Sequence, residues 1–385
     1  MNPLLSAEQA VLGAVLLDPG QLSHLDWLAP EHFDRPVHQA LFAALRKLRG
    51  DGHPALAAEG AVPLSWVTDA VNEAGLHVRG LTAVYAHSLV SACPRVAHAP
   101  VYGRMVLEGA IHRTITRHAI RLHQAARADA RRGRVEGSLI QADVLSGVLS
   151  ELAQRWGTEP RSVPPAHAPA DPSPVRADDQ AGEDERFLLA ILADRPTAME
   201  EVVGWLRPGD FTDPIHGHLY RCLGALHHRG EPVDRITLLW EAQRRGLLAD
   251  GTLTAEHLSA ICDDVSAGSA EWLGEQVLAS SVIRTAATAA RDVRVLAEDE
   301  ALSPGQLINH ALHALGPLDE VRTRWHSTTG RRPATPPVRT PEPPPLSRAH
   351  AALARSAPNP VSPSRTRSDP APAPGTRRSP ARGHN

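Results

Sequence analysis

Apolar residues recur at helical spacing from the start of the chain. The first apolar stripe consists of Val11, Leu12, Val15 and Leu16. Ser6 precedes this stripe and Gln9 follows three residues later, which is the pattern of a capping box at a helix N-terminus. The second half of the chain repeats the arrangement, with Asp184 as the predicted cap before Leu188, Ile191 and Leu192. No sustained alternation of apolar and polar residues is present, so the sequence predicts an all-α fold.

The second half of the chain repeats the first. When residues 27–54 are shifted by 178 positions onto residues 205–232, eleven of the 28 positions are identical without a gap. The identical pairs include Trp27/Trp205, Pro30/Pro208, Phe33/Phe211, Pro36/Pro214 and His38/His216. A second block aligns at a shift of 171, which carries Gly75 onto Gly246 and Arg113 onto Arg284. The chain is therefore a tandem duplication.

Each copy ends in two longer helical patterns, which predict an αα-hairpin. In the second copy, Ser303 and Gln306 flank Pro304 and predict a capped start for the last helix. The tail has 14 prolines and 10 arginines against two acidic residues, so it cannot bury a core and is predicted to be disordered. The predicted organisation is two helical-bundle domains, each with a C-terminal hairpin, at 1–157 and 183–325, joined by a Pro/Ala-rich linker at 158–182 and followed by a basic tail at 326–385.

Composition places few further limits on function. The length of 385 residues suits two domains with tails, and the net charge of −3 does not by itself indicate a nucleic-acid partner. Three cysteines without C-x-x-C spacing argue against a disulfide framework or a zinc site. No apolar run approaches the roughly 20 residues of a membrane span, and the N-terminus lacks a basic signal region. We expect a soluble, cytoplasmic protein.

The sequence predicts no catalytic residue, no metal and no cofactor. His216 and His218 lie two residues apart, about 200° around a helix, and cannot share a ligand face. We interpret the repeated His38 and His216 as packing or hydrogen-bonding residues. A P-loop requires a Gly-rich turn followed by Lys and Ser or Thr. Lys47 is the single lysine of the chain and falls inside an amphipathic helix.

Three segments of the first copy resemble the N-terminal domain of bacterial replicative helicases of the DnaB type. They are residues 8–18, 30–42 and 101–113. The second copy keeps residues 211–216 of this pattern, but it lacks the Glu8-Gln9 pair and has Glu185-Arg186 nearby. The resemblance implies a helical bundle plus hairpin that pairs through hairpins, forms the collar of a hexameric ring, and contacts primase and loader proteins. In that family the motor is a separate C-terminal ATPase domain, so we predict no helicase activity for this chain alone.

These observations predict a non-enzymatic interaction protein of DNA replication. Its expected partners are the replicative helicase, primase or helicase loader. Two copies on one chain are expected to pair internally as a pseudo-dimer, because the linker holds them at a millimolar effective concentration; pairing between chains in a homo-oligomer is the alternative. The predicted partner-interface residues are Leu107, Ile111, Ile115, Val277, Val282, Leu312 and Leu315.

The sequence is also compatible with other functions. The Arg-rich hairpin and tail are compatible with weak, sequence-independent DNA binding, because such surfaces release counterions from phosphates. They are equally compatible with a solvated helix face and a solubilising tail. The candidate nucleic-acid contacts are Arg104, Arg113, Arg117, Arg121, Arg131 and Arg132. A helicase subunit that uses an ATPase in trans and a degenerate remnant without function are further alternatives.

Overall fold

The structure, a computed structural model, describes residues 2–58, 62–156, 179–249, 251, 253–262 and 268–330. These residues form α-helices and short 3-10 turns, with no strand among them, which confirms the all-α prediction. In the first copy the helices are α1 (Pro3–Leu17), α2 (Pro36–Gly50), α3 (Leu64–Gly75), α4 (Ala83–Ala92), α5 (Ala99–Arg132) and α6 (Glu136–Trp156). In the second copy they are α7 (Asp179–Asp194), α8 (Met199–Val202), α9 (Pro214–Arg229), α10 (Arg235–Arg244), α11 (Ala255–Cys262), α12 (Ala270–Glu298) and α13 (Pro304–Thr328).

One predicted helix cap is confirmed and two are wrong. Ser303 forms the predicted capping box with Gln306. The Asp213 carboxylate also caps a helix, α9, because it accepts a hydrogen bond from the Ile215 amide at 2.8 Å. Helix α1 begins earlier than predicted, because the Asn2 side chain accepts from the Leu5 amide at 3.2 Å and Pro3 occupies the first helical position. Asp184 lies inside α7 rather than at its start.

Two predicted boundaries shift by a few residues. Helix α7 starts at Asp179, so the last four residues of the predicted linker are helical. Helix α13 continues to Thr328, and Trp325 is buried on its inner face, so the helix includes the first three residues of the predicted tail. The rest of the predicted linker, up to residue 178, and the tail from residue 331 lie outside the described residues.

Helices α1 to α4 form the first lobe, whose core also includes Ala99 and Val106 at the start of α5 and is distinct from the core of the other helices. Phe33, Phe42 and Trp66 are its largest fully buried side chains. The Trp66 indole donates to the Val15 carbonyl at 3.1 Å, so its one polar group is satisfied inside the core. Each such side chain contributes about 1.5–3 kcal/mol by burial. Helices α7 to α11 form the second lobe.

The two hairpins pack together into a four-helix bundle. Helix α5 lies against both α6 and α12, and α13 lies against both α12 and α6. One apolar core runs through all four helices and continues into the second lobe. The hairpins of the two copies therefore pair within one chain. None of the described helices is long and apolar enough to cross a membrane.

Gly13 marks a close approach of α1 to α4. A Cβ atom at Gly13 would lie 2.1 Å from the Leu89 carbonyl oxygen and 2.9 Å from its carbon, which are backbone atoms that cannot rotate away. Gly13→Ala should therefore destabilise the protein by about 1–3 kcal/mol in urea unfolding. The control is Gly147→Ala on α6, where nothing lies within 4 Å of the added atom. That substitution should raise stability by up to about 1 kcal/mol; equal effects of the two would contradict the close approach.

Candidate interaction site

The first lobe is built around a buried carboxylate. Glu8 on α1 is 2% exposed and accepts hydrogen bonds from the Asp34 amide and from His38 Nδ1, the latter at 2.6 Å. His38 is fully buried, and its Nε2 lies 2.7 Å from the Tyr85 hydroxyl. The three side chains connect α1, the start of α2 and α4. Packing and hydrogen bonding had both been left open for His38, and the structure shows both, with partners 30 and 47 residues away along the chain.

The second lobe contains the same arrangement. Glu185 on α7 is fully buried and accepts from the Thr212 amide, from the Asp213 amide at 3.3 Å and from His216 Nδ1 at 2.9 Å. Glu185 therefore takes the place of Glu8, which the sequence comparison did not assign. The signal for this was the recurrence of His38 at His216, because a buried histidine requires a partner.

Each lobe is fixed to its hairpin by an arginine. Arg113 on α5 donates to the His32 carbonyl at 2.5 Å, and its Nε lies 3.3 Å from the Asp34 carboxylate. Arg284 on α12, its counterpart, donates to the Asp210 carbonyl at 2.9 Å and to the Thr212 hydroxyl at 2.7 Å. Arg113 is thus occupied within the protein and unavailable to a phosphate.

A tryptophan packs on a glycine at the same joint in both copies. A Cβ atom at Gly103 would lie 3.2 Å from the Trp27 ring, and one at Gly274 would lie 2.7 Å from the Trp205 ring. The indoles therefore contact the backbone of α5 and α12. This contact gives the physical reason for the repeated tryptophan, and it shows that both copies join lobe to hairpin in the same way.

The structure brings most of the predicted interface residues together inside the chain. Leu312 is half-buried and packs against the bundle core, whereas Leu107 packs against the core of the first lobe. The remaining five are at most 3% exposed and share the bundle core: Ile111, Ile115, Val277, Val282 and Leu315. These five residues lie in the continuous core of the bundle and the second lobe, not on a surface open to another protein.

Polar contacts fix how the two copies meet. The His112 ring lies between two carbonyl oxygens of the second copy, with Nδ1 3.0 Å from Ala297 and Nε2 3.1 Å from Leu302. Arg322 on α13 bonds Asp143 on α6 at 2.5 Å and Asp319 at 2.9 Å. Burial raises the pKa of the Asp319 carboxyl, and Arg322 opposes this rise. The residue of the second copy equivalent to His112 is Ile283, so the pair is not symmetric.

A buried ionic network in the second copy was not expected. The Asp210 carboxylate accepts from Arg324 Nη2 at 2.9 Å, from the Ser281 hydroxyl at 2.9 Å and from the Arg207 amide at 2.7 Å. A shallow cavity of about 290 Å³ lies beside it. The first copy has His32 at the equivalent position, so the network is particular to the second copy. Since both carboxylate oxygens are engaged, Asp210 is a structural group.

Metal and thiol chemistry find little support in the described part of the chain. No group of three or more His, Cys, Asp or Glu side chains in it could hold a metal ion. Cys93 and Cys222 are free thiols. Burial raises the pKa of the Cys222 thiol to about 11, which keeps it protonated and unreactive near neutral pH.

The other arginine candidates lie at the surface of α5. Arg104 sits 3.7 Å from Glu108 one turn away, so its charge is partly balanced. Arg117, Arg121, Arg131 and Arg132 are exposed. Of the six predicted contacts, Arg113 is therefore used within the protein, Arg104 is paired on the helix surface, and the other four face solvent.

Exposed apolar side chains on the lobes were not predicted from the sequence. In the first lobe they include Leu64, Leu76 and Val84, each at least 75% exposed. In the second lobe Ile236 and Trp240 lie one turn apart on α10 and are 77% and 60% exposed. Helical spacing alone did not separate these residues from core positions, because the same spacing describes both.

The repeated architecture agrees with the comparison to known families. The profile of the DnaB-like helicase N terminal domain matches residues 1–108 and again residues 178–271, together more than half of the chain. This chain belongs to the DnaB-like helicase N-terminal domain family. The matches begin at α1 and at α7, so the duplicated unit is the family domain itself. Membership indicates a role related to DNA replication.

Three curated relatives are replicative helicases. The replicative DNA helicase DnaB of Mycobacterium leprae is 35% identical over 127 residues, which are 33% of this chain and 20% of that protein. DnaB of Geobacillus stearothermophilus is 36% identical over 123 residues, 31% of this chain and 25% of that protein. The replicative DNA helicase DnaC of Bacillus subtilis is 31% identical over 157 residues, 40% of this chain and 32% of that protein. The chain thus matches less than a third of the length of each helicase, and no solved structure matches it.

Proposed function

We propose that this protein is a non-enzymatic interaction protein of DNA replication. It acts as a single-chain pair of DnaB-like N-terminal domains that contacts the replicative helicase, its primase or its loader. The observation that carries the proposal is the internal pairing of the hairpin α5–α6 with the hairpin α12–α13. A pair formed by separate chains dissociates on dilution, whereas a pair within one chain is held at a millimolar effective concentration.

The burial of the paired faces limits where a partner binds. The apolar residues of the bundle are taken up by the other copy, so a partner protein contacts the outer surfaces of the lobes and hairpins. The two lobes differ in their exposed side chains, as the Ile236–Trp240 pair of α10 illustrates. The protein therefore presents two unlike lobes where a pair of identical domains would present the same surface twice.

Several buried acidic groups have structural partners, which supports a role in binding rather than catalysis. Glu8 and Glu185 are each bonded to a histidine and to backbone amides. Asp210 is bonded to Arg324. A general acid or base needs a group that is free to exchange a proton with a substrate, and these three carboxylates are engaged within the fold.

Light scattering on purified components tests the proposal. The full chain is expected to elute with the mass of one chain across a wide concentration range, and to form a complex with the helicase, the primase or the loader of its own organism. Failure to bind any of the three would contradict the proposal. A helicase ring that exchanges its own subunits for this chain would instead favour the subunit that uses an ATPase in trans.

A further inference from the structure

The second half of α5 and the turn after it carry a strong positive charge. Between residues 114 and 135 the arginines are Arg117, Arg121, Arg127, Arg131, Arg132 and Arg134. All six are exposed, and no ion pair joins any of them to a residue in the described part of the chain. Asp129 is the one acidic residue of this stretch. It is 6% exposed, and its carboxylate accepts from the Ser138 amide and hydroxyl at 2.6 and 2.8 Å rather than pairing with one of these arginines.

Three of these arginines share one face of α5. Arg117, Arg121 and Arg131 are separated by four and ten residues, which places them within about 80° of each other around the helix and spreads them over about 21 Å. His118 lies beside two of these arginines, Arg117 and Arg121. Burial lowers its pKa, and the charges of Arg121 and Arg117 lower it further. His118 therefore adds no charge of its own near neutral pH.

We propose that this arginine face, Arg117, Arg121 and Arg131, binds the phosphate backbone of nucleic acid without sequence preference. Guanidinium groups match phosphate oxygens in a planar, two-pronged geometry. A protein partner is less well matched, because protein interfaces have an apolar centre. Among the large apolar side chains of this half of α5, only Ile120 is exposed, at 36%. This activity goes beyond the proposed function, since contact with a helicase, primase or loader does not require nucleic acid.

The second copy lacks this face. At the equivalent positions of α12, Thr288 replaces Arg117 and Asp292 replaces Arg121. The arginines of α12 are all engaged: Arg284 bonds the second lobe, Arg294 bonds Glu298 at 2.7 Å, and Arg291 bonds the Thr288 hydroxyl at 3.2 Å. Two identical domains would place such a face on both hairpins, whereas this chain presents it on one. Nucleic acid is therefore bound on the hairpin of the first copy.

Fluorescence anisotropy with short labelled duplex and single-stranded DNA tests the face directly. The full chain and the variant R117Q/R121Q/R131Q are compared over a series of salt concentrations. Because each neutralised phosphate contributes about 0.9 to the slope of log affinity against log salt for duplex DNA, the variant should lose about 3 from that slope and bind at least about tenfold more weakly at low salt. The arginines beyond residue 330 are the same in both proteins, so the difference reports on α5 alone.

The matched control is R291Q/R294Q, which removes two arginines from α12. Because α5 is unchanged in this control, it should keep the salt slope and the DNA affinity that the arginine face provides. Circular dichroism should show native helix content for both variants, since every substituted side chain is at least partly exposed. Absence of DNA binding by the full chain, an unchanged slope in R117Q/R121Q/R131Q, or the same loss in the control would overturn the proposal. So would a variant that loses binding to poly-glutamate but not to DNA, which would assign the face to an acidic protein. Complex formation with helicase, primase or loader is measured without nucleic acid, so either proposal can fail alone.

Discussion

The double variant Ile111→Asp and Val282→Asp is expected to open the four-helix bundle and separate the two hairpins. Ile111 is 3% exposed and Val282 is fully buried, and both lie in the core shared by the two copies. A carboxylate placed there loses its hydration and gains no partner, which costs several kcal/mol. The combined loss of about 4 kcal/mol or more is a large part of the 5–15 kcal/mol that stabilises a typical domain.

Size exclusion with light scattering and urea unfolding measure this effect. The variant should elute earlier than the natural protein and unfold at a lower urea concentration, while the first lobe, which has its own core, stays folded. Protection of α1 and α2 in hydrogen exchange checks the lobe. The control is Ile140→Asp with Val295→Asp, which introduces the same charges where the side chains are 58% and 49% exposed. An unchanged elution volume and urea midpoint in the Ile111–Val282 variant would show that the hairpins do not depend on this pairing.

Much of this fold was predictable because both copies carry the same restraints. The repeated Trp27 and Trp205 pack on Gly103 and Gly274, and the repeated histidines bond buried carboxylates. A duplication therefore revealed structural residues that one copy alone leaves ambiguous. The meeting of the two hairpins was expected on other grounds, namely the resemblance to a domain that pairs through its hairpins and the linker that joins the two copies.

Details that depend on the path of the chain were not predictable. Asn2 and Ser6 are both good helix caps, and the choice between them depends on where the chain turns into α1. Glu185 was overlooked because Glu8 aligns with it at a shift of 177 residues, whereas the histidines align at 178. A difference of one residue between α7 and α9 was enough to hide the pair.

The arginines of α5 show the limit of reading charge from sequence. Arg113 and Arg117 are four residues apart on one helix, yet Arg113 bonds the first lobe and Arg117 is exposed. The amino-acid composition of the helix does not distinguish these two arginines. The repeat contained the distinguishing signal, because Arg113 recurs as Arg284 and Arg117 does not recur. On α5, the arginine that both copies retain holds the fold, and the arginine that only this copy carries faces solvent.

The substitution His38→Ala is expected to be among the most destabilising single changes in the first lobe. It leaves the buried Glu8 carboxylate with the Asp34 amide but without its histidine, and removal of one partner from a buried pair typically costs about 3–5 kcal/mol. The Tyr85 hydroxyl loses its partner at the same time. Glu8→Gln should cost less, about 1–2 kcal/mol, because the amide still accepts from Asp34 and leaves no buried charge.

The second copy supplies the matched control. His216→Ala removes the equivalent histidine, but Glu185 keeps two backbone amides, Thr212 and Asp213, as donors. The His216 side chain is 17% exposed where that of His38 is 0% exposed, so water can replace part of the lost bond. We expect His216→Ala to cost about 1–2 kcal/mol. Urea unfolding gives the free energies, and hydrogen exchange in α1 and α2 against α7 and α9 locates them. Equal losses of unfolding free energy in His38→Ala and His216→Ala would contradict this prediction. They would mean that the extra amide donor to Glu185 and the partial exposure of His216 do not reduce the cost of removing the histidine.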